Sequence, residues 1–206
     1  MENILSWGVP AVAAYLARYP KIEIEVVLND RYVDLIDEGF DLAVRVGNLQ
    51  SSSLVMRQLA PIRFVLVAAP DYIARRGAPR CPGDLADHDC LLYTHHGSGT
   101  WFFAGADGEQ AVRISARLKS NNGDLVLAAA LAGEGIFYAP TFQAGEYLSS
   151  GRLVRLLPEY RLSASRIQAV FPHSHNLSAK VRSLVDFLAK HFGPEPEWDR
   201  LAATSP

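Results

Sequence analysis

The chain has 206 residues, 49% of them hydrophobic and 20% charged, and a formal net charge of −2. That balance can build one large domain or two small ones around a proper core, and it excludes a natively disordered chain. No apolar run is long enough to span a bilayer, and with no basic run to offset the slight negative charge, nucleic acid is a poor partner for these residues alone.

In chain order, the N-terminal MENILSWGVP has neither the basic start nor the apolar middle of a secretion signal, so a cytoplasmic location is expected. Val9, Val12, Leu16 and Tyr19 line one face of a helix with Pro10 near its start and Pro20 as its stop. Lys21 to Leu28 alternates Ile22, Ile24, Val26 and Leu28 with Lys21, Glu23, Glu25 and Val27, the pattern of a half-covered strand. Asp30 can cap a short helix carrying Val33, Ile36 and Phe40, which Gly39 lets stop before a strand from Leu42 to Val46. After the SSSL loop, Arg63 to Ala69 reads as an apolar strand closed by Pro70, completing a βα-type lobe.

The pattern then restarts. Short helices are predicted near Asp71 to Arg76 and Pro82 to Ala86, and strands near Leu91 to Tyr93 and Trp101 to Phe103. Asp107-Gly108 is a turn dipeptide that would pair Trp101 to Phe103 with Ala111 to Ser115. Asn121-Asn122 caps a helix whose apolar face uses Leu125, Val126, Ala129 and Leu131 and which ends at Gly133. A strand Ile136 to Ala139, a helix after Pro140 and a strand Leu153 to Leu157 follow. Ile167 to Phe171 looks like a return crossing, and Ser178 caps a helix with Val181, Leu184, Val185, Leu188 and Phe192 on one stripe. The tail from Pro194 to Pro206 is expected to be loosely ordered.

Chemistry is sparse. Cys81 and Cys90 lack further partners for a zinc site and read as free thiols. His88, His95-His96, His173 and His175 have no metal-site company, and Gly97-Ser98-Gly99 lacks a strand-to-helix elbow, so neither a metal nor a catalytic nucleophile is expected. Two features stand out. Arg45 is a cation in an apolar strand that ends at Gly47, either where ligands gather in an open α/β sheet or at the solvated end of an edge strand. The helix start at Asn122 and Gly123 offers N–H groups to a carboxylate or other anion.

The segments RYVDLIDEGFDLAVRVGNLQSSSL, RQLAPIRFVLVAAPDYI, CPGDLADHDCLLY, SNNGDLVLAAALAGEGIFYAP and GRLVRLLPEY together resemble the effector-binding domain of LysR-type transcriptional regulators, from Val9 to Phe192. The resemblance implies an α/β fold of two Rossmann-like lobes joined by two crossover strands, like type 2 periplasmic binding proteins. One lobe would comprise residues 1–67 and 169–193 and the other 68–168, with crossovers near Val67 and Ala169 and a tail from 194 to 206. A small-molecule effector would occupy the cleft between lobes, lined by Ser6 at the start of the first helix, Asn29, Asp30, Arg45, Gly47, Asn121, Asn122 and Pro140. It also implies an antiparallel homodimer, no cofactor, no enzymatic activity, and DNA contact only through a helix-turn-helix that these residues lack. The first strand of the first lobe is nearly missing, with only Ile4 and Leu5 to stand in for it. A free-standing solute-binding protein of the same fold is the alternative.

Overall fold

A computed structural model describes residues 2–28, 34–47, 54–96, 99–106, 108–172 and 178–203. Helix α1 (Glu2–Arg18) precedes β1 (Ala43–Val46), β2 (Leu54–Ile62), β3 (Phe64–Ala68) and α2 (Pro70–Arg76). A 3₁₀ turn, Pro82–Asp87, leads to β4 (Cys90–Tyr93), β5 (Thr100–Gly105), β6 (Gly108–Arg113), β7 (Ala116–Ser120) and α3 (Gly123–Leu131). Then come β8 (Ile136–Pro140), α4 (Thr141–Ser149), β9 (Val154–Leu156), β10 (Arg161–Leu162), β11 (Ser165–Pro172), α5 (Ala179–Phe192) and α6 (Glu197–Ala203). The chain divides into a first unit, Glu2–Ile62 with Ser165–Glu197, and a second, Arg63–Ala164 with the tail from Trp198 onward. The chain therefore leaves the first unit at Ile62 and returns at Ser165, a few residues ahead of the expected Val67 and Ala169.

The first unit is built on an antiparallel sheet of order β1-β11-β2, with a bulge between Ile167 and Gln168. Ser178 caps α5 by accepting the Val181 N–H at 3.2 Å, and Val181, Val185 and Leu188 form its buried stripe. Helix α1 packs on α5 through Tyr15, which is fully buried and hydrogen-bonded to Ser183. Ala11 and Tyr15 are the inward residues, and Val9, expected on the buried face, is exposed. The helix begins at Glu2 and runs through Pro10, so Ser6 lies inside it rather than at its start. Ile4 and Leu5 are helical too and supply no strand.

Two more expectations fail here. Lys21 to Leu28 alternates as a strand should, yet it carries no ladder, and Val26, Val27 and Leu28 are exposed. Alternation makes a strand only where a neighbour exchanges hydrogen bonds with it, and among the described residues no strand does so. The helix expected from Asp30 is, over its described part, a single turn capped by Asp34, whose Oδ1 accepts the N–H groups of Ile36 at 2.9 Å and Asp37 at 3.2 Å. Gly39, at φ 72°, stops it as expected, but Leu35 is its buried residue and Ile36 faces out.

The second unit holds a mixed sheet of order β7-β4-β8-β3-β9, in which β7, β4 and β8 are parallel. Val65, Val67, Leu91, Phe137 and Ala139 pack one face of it against α3 and α4. Leu66, Ala68, Cys90, Leu92, Ile136 and Tyr138 pack the other against Tyr72, Leu85, Trp101 and Phe103. Burial on both faces is why these strands read as unbroken apolar runs. The expected hairpin pairs β5 with β6 antiparallel, and β10 adds a short third strand.

The tail departs most from expectation. Residues from Glu197 form α6, whose Trp198 is buried edge-on against Phe142 and whose Ala202 joins the core beside α4. Gly145 makes this docking possible, because a methyl group there would lie 2.9 Å from the Trp198 carbonyl oxygen. Asp199 pairs with Arg63 and accepts the Thr141 hydroxyl at 2.6 Å.

Candidate functional site

In a parallel sheet, strand dipoles and helix N-termini converge at the carboxyl ends of the strands, and ligands collect there. In the second unit those ends are Tyr93, Ser120 and Pro140. Ser120 Oγ accepts the Asn122 N–H at 3.0 Å, which turns the chain into α3. Asn122 is the N-cap, its Oδ1 accepting the Leu125 N–H at 2.9 Å while its carbonyl accepts the Val126 N–H at 3.3 Å. Asn121 is exposed beside it. Pro140 is buried and opens α4, where Thr141 N–H and Oγ1 donate to the Arg63 carbonyl at 2.9 and 3.1 Å. Three candidates, Asn121, Asn122 and Pro140, are thus at one end of one sheet.

A fourth residue there was not expected. Gln143, in the first turn of α4, is only 8% exposed, and its amide lies over the start of α3, where a methyl group on Gly123 would come within 2.7 Å of Nε2. Its signal in the sequence is a glutamine directly after the apolar run IFYAPTF, where the helix should still face the core.

In the first unit, Arg45 is a half-buried residue of β1, opposite Gln168 on β11, which in turn faces Gln58 on β2. These three form a polar row across the sheet. The Oε1 of Gln168 is buried with no hydrogen-bond partner. Gly47, at φ 124°, closes the strand by donating its N–H to the Arg166 carbonyl at 3.1 Å. Asn29 and Asp30 lie outside the described residues.

The titratable groups with shifted pKa sit elsewhere. Tyr72, His88 and Asp89 meet at the amino end of β4: the Tyr72 hydroxyl is 3.0 Å from His88 Nδ1 and accepts the Asp89 N–H at 3.0 Å. Burial raises the Tyr72 pKa and lowers that of His88. Burial also pushes the Cys90 thiol up to about 12, which leaves it inert, while Cys81 is exposed and donates to Asp84 Oδ1 at 3.4 Å. Among the described residues no three His, Cys, Asp or Glu side chains gather in a way that could hold a metal ion. None of the described helices is long and apolar enough to cross a membrane. The groups gathered at the strand ends are amides and backbone N–H donors, suited to holding a polar ligand rather than to proton transfer.

Comparison with known proteins agrees with this architecture. The family described as LysR substrate binding domain matches residues 4–193. The HTH-type transcriptional regulator DmlR of Escherichia coli is 37% identical over 89% of this chain and 60% of its own length. The HTH-type transcriptional activator TtdR of Escherichia coli is 34% identical over 87% of this chain and 58% of its own. Among solved structures, the regulatory domain of CrgA, a LysR-type transcriptional regulator from Neisseria meningitidis, superposes with a TM-score of 0.83 at 32% identity, covering 94% of this chain and 95% of that one. The chain spans about three fifths of the length of the curated relatives it matches.

Proposed function

The chain belongs to the LysR substrate binding domain family, with its two-lobe, periplasmic-binding-protein-like α/β fold, and on that premise we propose that it is the effector-sensing part of a transcriptional regulator. It binds a small molecule, and the binding energy biases a conformational equilibrium that a helix-turn-helix region of the longer protein turns into DNA affinity. It works as a homodimer with antiparallel lobe contacts, in the cytoplasm, without turnover of its ligand. The observation that carries this reading is the match along residues 4–193, which takes in nearly every described element. The cation at Arg45 and the open start of α3 favour an anionic effector.

Thermal-shift screening of the purified chain against a metabolite library tests it. A true effector raises the melting temperature in a concentration-dependent way, adding about 2.7 kcal/mol when its free concentration is a hundredfold above Kd. Arg45→Ala should abolish that shift while barely moving the unliganded melting point; an undiminished shift removes Arg45 from the site. Failure of every library member to shift the melting point, together with tight sequence-specific DNA binding by these residues alone, would overturn the sensor reading.

A further inference from the structure

We propose that Gln143 is a specificity-determining residue that reads a carboxylate of the ligand, and that Gly123 is a glycine so that it can. This deepens the effector-binding reading above and rests on it. The Gln143 side chain is more than nine-tenths buried, yet its amide makes no hydrogen bond with any described residue. Such a group costs stability unless something bonds it, and a leucine of similar volume would fill the space without that cost. Unlike Gln168 Oε1, the amide atoms of Gln143 are not sealed from solvent, so a small molecule can reach them.

The amide's surroundings say what that molecule carries. Nε2 lies against Gly123, the first residue of α3, close enough that any side chain there would displace it. The cap uses the Leu125 N–H and the helix ladder uses the Val126 N–H, whereas the Gly123 N–H has no partner among the described residues. Two donors, one from the backbone and one from the side chain, therefore stand together at the positive end of a helix dipole and at the carboxyl ends of parallel strands. A carboxylate can accept from both at once. Asp124, in the same turn, opposes a second negative charge, which selects a singly charged carboxylate over a dianion such as hydrogen phosphate.

The test uses the full chain, ¹⁵N-labelled, titrated with acetate, with its neutral isostere acetamide, and with inorganic phosphate. Acetate should shift the Gln143 side-chain amide and the Gly123 backbone amide along one saturable curve, and acetamide and phosphate should not. Gln143→Leu and Gly123→Ala should each weaken acetate binding about tenfold or more, the second by pushing the amide aside without touching its chemistry. Gln143→Glu should abolish it by repulsion, and Gln143→Leu and Gly123→Ala should melt no earlier than the parent. Equal responses to acetate and acetamide, or acetate binding by Gln143→Leu as tight as the parent's, would overturn the proposal. An effector from the library screen that stabilises Gln143→Leu as strongly as the parent leaves the sensor reading standing and removes Gln143. An intact acetate site in a chain with no library effector does the reverse.

Discussion

The two units answer the same problem, covering an α/β sheet, with different means. In the second unit the inner strands β4, β8 and β3 are covered on both faces, and every residue from Ile136 to Gly145 is buried. Among the described residues of the first unit three strands carry the load, β1 is an edge strand with Val44 exposed, and the apolar stretch Val26 to Leu28 lies open to solvent. Apolar area removed from water is the main favourable term in folding, so the second unit should hold most of the stability and the first should open more readily. The second unit also owes part of its closure to the end of the chain, since α6 docks on it.

Trp198 offers the sharpest way to break that contrast. Trp198→Ala removes a fully buried indole packed on Phe142 and should cost about 3–5 kcal/mol. Hydrogen exchange by mass spectrometry then reads the units separately: protection should fall in β3, β8 and α4 and stay unchanged in β11 and α5. Equal loss in both units would show that they unfold as one.

Alkaline pH acts on the same unit. The folded Cys90 thiol holds its proton up to about 12, well above its ordinary value, because its burial in the sheet disfavours the thiolate. A raised folded pKa on an acid means the folded state keeps a proton that the unfolded state gives up. Stability is therefore unaffected below about pH 9 and is lost as pH climbs from there, by up to about 1.4 kcal/mol per pH unit from this group. Tyr72 and Tyr138, whose pKa values burial also raises, act in the same direction. Urea melts from pH 8 to 10.5 should show the decline, and Cys90→Ala should flatten it; an identical slope in that variant would assign the decline to other groups.

What was legible in the residues follows the same division. In the second unit the strands at Leu66 and Phe137 and the cap at Asn122 were readable, because local propensity, turn chemistry and burial all point one way. The face of α3 was read one residue off, with Leu125 exposed and Leu127 buried, since an all-apolar helix has no polar stripe to fix its rotation. β2 went unread because Arg57, Gln58 and Pro61 interrupt its pattern, and its strand state comes from pairing with β11. The segment Lys21 to Leu28 erred the other way, with local pattern and no ladder. Trp198 was hidden in a stretch of Pro and Glu that suggests a loose tail, and its docking depends on the distant Gly145. Of the candidate site, Asn122 and Pro140 could be read as helix starts, but the approach of Gln143 to Gly123 is a tertiary fact with only a faint trace in the sequence.

The smallest effects compare two Arg–Asp pairs, one in each unit. In the second unit, Arg63 meets Asp199, whose side chain is only 8% exposed and which also accepts the Thr141 hydroxyl. Asp199→Ala takes from part of the guanidinium its acceptor and from the Thr141 hydroxyl its charged one, leaving that hydroxyl the longer bond to the Arg63 carbonyl at 3.1 Å, and should cost about 1–3 kcal/mol. In the first unit, Arg57 meets Asp186 with the side chains 45% and 53% exposed, so water competes for both groups and the side chains give up rotamer freedom to meet. Arg57→Gln should therefore cost less than about 1 kcal/mol. Added salt separates the two further: 1 M NaCl, with a screening length of about 3 Å, should erase most of the Arg57 effect and leave most of the Asp199 effect. If Arg57→Gln proved the costlier change, the first unit would depend on its surface charges as the second depends on its core, and the contrast between them would have to be drawn from electrostatics instead of burial.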